Sequence, residues 1–202
     1  MAVQTVKPKR VARRPEDRRA ELMDAALRVL REKGASVATV SDITEEAGVA
    51  KGTFYLYFDS KEHVLATLRE RFVQDALAKG TELLSKVGHE DWWGLVDTSI
   101  RSFIDFHYDR IEETRLLVGE GMTPDTLALL DDCDRQMTHI LSAGIEAGVE
   151  AGVFHVQDPE MAALLLHHAV EGALEVTIVF GRDIDRDRLY EAARELCRKV
   201  LA

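Results

Sequence analysis

The sequence predicts an all-α protein of about nine helices, a small N-terminal helical unit followed by a larger helical domain. Three observations predict it. Apolar residues recur at helical spacing along the chain rather than alternating as in strands. Four prolines and 13 glycines in 202 residues leave long uninterrupted stretches. Where proline and glycine do occur, several sit at positions that start or stop helices. Hydrophobic residues make up 46% of the chain, enough for a packed core, which excludes wholesale disorder.

The first helix is predicted over Pro15–Lys33. Leu22, Ala25, Ala26, Val29 and Leu30 form one buried stripe, with Pro15 at its first position, Glu16 and Asp17 at its positive end and Gly34 as its stop. A short second helix follows Thr39, whose hydroxyl can cap it while Asp42 reaches back as the other half of a capping box. It runs through Ile43 to Ala47, and Gly48 permits the sharp turn before a third short segment, Lys51–Phe58. Ser60 or Asp59 caps a longer helix carrying Val64, Leu65, Leu68 and Phe72. The helical pattern continues over Trp93–Ile111. It resumes at Thr123-Pro124 through Leu127, Leu130, Met137, Ile140 and Leu141, and is expected to lose order near the glycine-rich run Gly144–Gly152. Asp158-Pro159-Glu160 starts a helix reaching about Phe180 before Gly181, and the last helix begins near Asp185.

Composition narrows the functional classes. The net charge of −10 argues against nucleic acid at first sight, but residues 1–60 hold 11 basic and 9 acidic side chains while residues 61–202 hold 15 and 27. Seven of the basic residues fall within the first 19, so a basic, flexible arm over residues 1–14 precedes an acidic body. The longest apolar run, Met161–Leu166, is six residues, so no membrane partner is expected, and the polar N-terminus lacks the apolar segment of a secretory signal. Cys133 and Cys197 are read as idle thiols, in keeping with a cytoplasmic protein. None of G-x-S-x-G, H-E-x-x-H, G-x-x-x-x-G-K or G-x-G-x-x-G occurs, so no enzyme is predicted, and no cofactor. His167 and His168, being adjacent, are expected to face different sides of their helix, so no metal site is predicted.

Two short helices joined through Gly48 and steadied by a longer preceding helix make a helix-turn-helix. Ile43, Ala47, Val49, Phe54 and Phe58 would pack the pair on Val29 and Leu30, leaving the segment from Ala50 to Phe58 to enter a major groove. Lys51 suits a phosphate or a guanine edge, Thr53 a phosphate or a thymine methyl, and Gly52 lets the backbone approach the duplex.

The stretch TVSDITEEAGVAKGTFYLYFDSKEHVL, residues 39–65, with LMDAALRVLREKGA before it, resembles the DNA-binding signature of the TetR family of bacterial transcriptional regulators. The resemblance implies a helix-turn-helix DNA-binding head over residues 15–60 and an effector-binding and dimerisation domain over 61–202. It places Thr39, Ser41, Lys51, Gly52, Thr53, Tyr55, Tyr57 and Lys61 at DNA-contacting positions, with Arg14 of the basic arm joining them, and puts Phe54 and Phe58 in the core. Ala50 departs from the serine common there, and Thr44 from the usual alanine. Partners implied are double-stranded operator DNA, a small-molecule effector and a second copy of the chain. The function implied is a dimeric repressor released from a palindromic operator by an apolar or aromatic effector. An activator, or a ligand-independent regulator of the same fold, stays open. Candidate effector-binding residues are Trp93, Phe103, Phe106, His107, Met122, Met137, His168 and Glu171. Leu166, Val170, Leu174, Ile178, Leu189, Ala193 and Leu196 are the candidates for the dimer interface.

Overall fold

The computed structural model describes residues 14–86, 88, 90–119 and 124–202; the arm before Arg14 and the candidate Met122 lie outside the described residues. Nine helices and no strand are found among them: α1 (Pro15–Lys33), α2 (Val40–Glu46), α3 (Lys51–Phe54), α4 (Lys61–Leu84), α5 (Trp92–Asp109), α6 (Ile111–Gly119), α7 (Pro124–Glu150), α8 (Pro159–Ile178) and α9 (Arg186–Leu201). The chain forms two compact units, residues 1–64 and 65–202, divided within α4.

In the first unit α1 starts on Pro15 and stops at Gly34, whose φ of 79° ends the helix. Its stripe Leu22, Ala25, Ala26, Val29 and Leu30 is buried with Ile43, Phe54, Phe58 and Val64. The predicted capping box is present: Asp42 N–H donates to Thr39 Oγ1 at 3.2 Å, and Thr39 N–H to Asp42 Oδ2 at 2.9 Å. Gly48 turns the chain with a φ of 64°. Thr44 is buried, and its hydroxyl donates to the Ser41 carbonyl at 3.0 Å, so the extra oxygen costs the core no unmet hydrogen bond. The third helix is shorter than the predicted Lys51–Phe58: only Lys51–Phe54 is helical, and the chain turns through residues 55–57. Ala50 caps α3 with no side-chain hydrogen bond. Ser60, not Asp59, caps α4, its hydroxyl accepting from His63 N–H at 3.1 Å.

The second unit is organised around α8, which packs against α5, α6, α7 and α9. By length and composition this helix could cross a membrane, but Ala162, Ala163, Leu166, Val170, Leu174 and Ile178 face the core of the unit. The helices carry their own closures. Asp91, Asp158 and Asp185 cap α5, α8 and α9 through their side chains, and Arg115 Nε donates to the Ile178 carbonyl at the end of α8. Charge is spent between α5 and α9, where Asp97 accepts from Arg194 and Arg198 at 3.2 Å each and Arg101 pairs with Asp187 at 2.7 Å.

One expectation fails here. α7 does not lose order at Gly144 but runs to Glu150, through both Gly144 and Gly148. Gly148 is a packing site: a Cβ there would lie 2.2 Å from Cδ2 of the buried Phe154 ring, which folds back over the helix. Gly144 has open space around its position. Gly148→Ala is expected to destabilise the chain by about 1–3 kcal/mol through overpacking. Gly144→Ala, in a helix interior with room for a methyl, should gain up to about 1 kcal/mol. Urea midpoints of the two variants read the contrast.

Candidate functional site

The surface presented by α2 and α3 is built on what lies beneath it. Phe54 and Phe58 are 0% and 1% exposed, in the core as the resemblance implies, with their tilted rings 5.6 Å apart. With these two rings inward, the residues between and before them turn outward. Lys51 and Gly52 are exposed, Tyr55 is 51% exposed with its ring edge-on to Phe54, and Thr53 and Tyr57 are half-buried. Ser41 and Thr39 are exposed at the start of α2, and Arg14 at the start of α1. Thr39 spends its hydroxyl on the cap, accepting from Asp42 N–H and donating to Asp42 Oδ2 at 2.7 Å. Lys61 is half-buried, and its ammonium donates to the Ala35 carbonyl at 2.6 Å, fastening the start of α4 to the α1–α2 connection.

Electrostatics reinforce this frame. Lys33 Nζ lies 2.7 Å from Asp42, and Arg28 Nε 2.6 Å from Glu46, so α1 grips both ends of α2. The Lys33 hydrogen bond, then those from Thr39, hold the Asp42 carboxyl down at about 2. Arg19 sets its guanidinium over the Phe58 ring at 5.1 Å. Sequence reasoning missed Leu56, 79% exposed beside Tyr55, and Val37, 66% exposed before α2. For Leu56 the signal was available: with Phe54 and Phe58 inward, the residue midway between them points out.

The candidate effector residues divide. Phe103, Phe106, His107 and His168 belong to one series of ring contacts that also uses Phe72 and His167, with centroids between 4.8 and 5.6 Å at every step. Glu171 joins this series through a 2.9 Å bond with His168 Nδ1. Trp93 lies elsewhere, 5.1 Å from Phe154, and Met137 is half-buried on α7. A cavity of about 880 Å³ is lined by α4, α5 and α9, and of the seven described candidates it takes in only Phe106. Its other walls include Asp75, Asp97, Asp105, Arg101 and Arg110. The described aromatic candidates pack ring on ring, and most of the residues lining the cavity are charged.

Two expectations about this unit change. His167 and His168 do not diverge: both Nε2 atoms approach Asp134 Oδ1, at 3.4 and 3.5 Å, because the carboxylate of the neighbouring helix sits between them. Six of the seven proposed interface residues, Leu166, Val170, Leu174, Ile178, Leu189 and Ala193, are buried in this chain's own core, and only Leu196 is exposed. Cys133 and Cys197 are free and buried, and burial pushes the Cys197 thiol up to about 11.

Two family models match the chain, "Bacterial regulatory proteins, tetR family" over residues 22–68 and "Tetracyclin repressor-like, C-terminal domain" over residues 96–175. The chain belongs to the TetR family. This TetR-family chain is 39% identical over 80 residues to the uncharacterized HTH-type transcriptional regulator YvdT of Bacillus subtilis, spanning about 40% of that relative's length. It is 28% identical to the HTH-type transcriptional repressor KstR2 of Rhodococcus jostii, over 72% of either chain. The fold is shared with the transcriptional regulator FadR of Bacillus subtilis, solved in complex with stearoyl-CoA, at a TM-score of 0.74 and 20% identity over 91% of this chain and 99% of that one. The protein is a DNA-binding transcriptional regulator, and the exposed faces of α2 and α3 belong to its helix-turn-helix.

Burial, helped by repulsion from His167 and Arg110, pushes the His107 imidazole down to about 4. The unfolded chain takes up this proton near 6.5, so stability is full above that pH and falls as the pH drops toward 4. Urea midpoints measured between pH 7 and pH 4.5 should fall on acidification, and His107→Phe should flatten part of that slope.

Proposed function

We propose that the protein is a homodimeric repressor that holds a palindromic operator through Lys51, Gly52, Thr53, Tyr55 and Tyr57 and leaves it when a small molecule fills the body. The observation that carries this reading is the outward face of α3. A lysine, a glycine and a tyrosine stand exposed on a segment whose two phenylalanines are locked in the core. Arg14, Ser41 and Lys61 flank it as phosphate contacts while Thr39, its donors spent on Asp42, holds the start of α2, and the basic arm adds counterion release. A single short helix reads few base pairs. Two heads spaced about one DNA turn, roughly 34 Å, multiply that specificity.

The second copy docks on the outward faces of α8 and α9. Met161, Leu165, Leu196 and Val200 are 47%, 63%, 39% and 40% exposed there, with small Ala169 and Ala192 between them. The effector is apolar or aromatic and inserts among Phe103, Phe106 and His107, with His168 and Glu171 meeting its polar group. FadR of Bacillus subtilis, with its stearoyl-CoA, gives the precedent of a shared fold holding a long acyl ligand. Filling the body favours a conformation in which the two heads no longer match the operator spacing.

A mobility shift with DNA flanking the protein's own gene tests the reading. Specific binding is expected at low salt and should weaken steeply as salt rises, despite a pI of about 5.2. Lys51→Ala with Tyr55→Ala should cost at least tenfold, and unchanged binding by that double variant would sink the proposal. Leu165→Glu with Leu196→Glu should give a monomer in sedimentation and lose tight operator binding while keeping the helical content.

A further inference from the structure

At the far end of the ring series, one cluster of side chains among the described residues has the make-up of a metal site. Asp134 comes from α7, and His167, His168 and Glu171 come from α8. One ligand atom from each of Asp134, His167 and Glu171 lies within 4.8 Å of the other two. We propose that these three residues bind a divalent transition-metal cation of the zinc class, with His168 orienting Glu171.

Three features of the cluster carry the inference. The first is distance. His167 Nε2 stands 3.4 Å from Asp134 Oδ1. Hydrogen bonds of this kind close to roughly 2.7–3.2 Å. A separation near 3.4 Å is instead the edge of a tetrahedron whose metal–ligand bonds are about 2.1 Å.

The second is an unmet need. Asp134 Oδ1 is buried and has no hydrogen-bond partner among the described residues, and the His167 side chain that faces it is only 8% exposed. A buried carboxylate oxygen without a donor is costly, and a cation between it and the imidazole removes that cost.

The third is the donor set. Imidazole nitrogen with carboxylate oxygen suits zinc and its first-row neighbours. All-oxygen sites suit magnesium or calcium, and the absence of sulfur among these donors disfavours copper(I). Two carboxylates also match the charge of one divalent ion. His168 Nδ1, 2.9 Å from Glu171 Oε2, supplies the outer hydrogen bond that fixes a carboxylate ligand in place.

The site would join α7 to α8. It would also touch the ring series, because the His167 ring lies 5.4 Å from Phe103. On the effector reading above, the cation takes over Glu171 and His168 and is therefore placed to stiffen the body at the effector's polar end, without being that effector.

The test is calorimetric titration of zinc chloride into the tag-free full chain stripped with a chelator, repeated with magnesium chloride. One zinc ion per chain is expected, with no magnesium binding in the same concentration range, and zinc should raise the melting temperature. Asp134→Asn and Glu171→Gln should each weaken zinc at least tenfold and abolish the melting shift, and His168→Ala should weaken it about tenfold as an outer-shell loss. Glu171 is half-exposed, so its variant tests the site without disturbing the core. Zinc binding that persists unchanged in Glu171→Gln and Asp134→Asn would belong to surface histidines and overturn the site, as would no saturable binding at all. Operator binding by the metal-free chain leaves the regulatory reading standing in either case.

Discussion

A helix of four residues, such as α3, cannot hold itself together. One hydrogen-bonded turn fixes several dihedral angles for a single bond, so α3 exists only because other parts of the head hold it. Phe54 and Phe58 are the anchors, and truncating either would cost about 3–5 kcal/mol. Everything else in the first unit serves that anchorage. The α1 stripe forms the floor, the Thr39–Asp42 box and the Lys33 and Arg28 bridges fix α2, and Lys61 ties α4 to the Ala35 carbonyl. Individually the exposed ion pairs contribute little. Their value lies in geometry, since together they fix how α2 and α3 are presented on α1.

The body solves a different problem. It carries most of the chain's acidic excess and yet must pack. Part of the answer is that acidic side chains on α5 face arginines on α9: Asp97 with Arg194 and Arg198, Asp105 and Asp109 with Arg186. The remaining negative charge is no obstacle to the head, because attraction to phosphates is decided locally within a Debye length of about 8–10 Å.

Wherever the determinant was local, the sequence was legible. Thr39, Asp42, Gly34, Gly48, Asp158 and Asp185 announced their caps and turns, and the phenylalanines at 54 and 58 announced the core of the head. What stayed hidden depends on partners distant along the chain. Gly148 reads as a helix breaker until Phe154 is seen lying over it. The apolar stripe of α8 is real, but nothing in its spacing says whether it faces the same chain or another. Adjacency on a helix predicts different faces for His167 and His168, and only the placement of Asp134 on α7 shows both imidazoles reaching one carboxylate. Phe103, Phe106 and His107 are ring neighbours and Trp93 is not among them, while most of the residues lining the cavity are charged.

Both tryptophans of the chain, Trp92 and Trp93, sit at the start of α5, within about 6 Å of the Phe154 ring, and Arg198 lies over the Trp93 ring. Residues 1–64 contain no indole and only the two phenols of Tyr55 and Tyr57. Intrinsic emission excited at the indole band is thus a private channel to the body, blind to fraying of the head. Because Phe154 also closes over Gly148, that channel watches the joint between the end of α7 and the start of α5. A two-domain regulator therefore carries a built-in optical label on one domain alone, and a melt followed by light can be set against one followed by helicity to separate the two units.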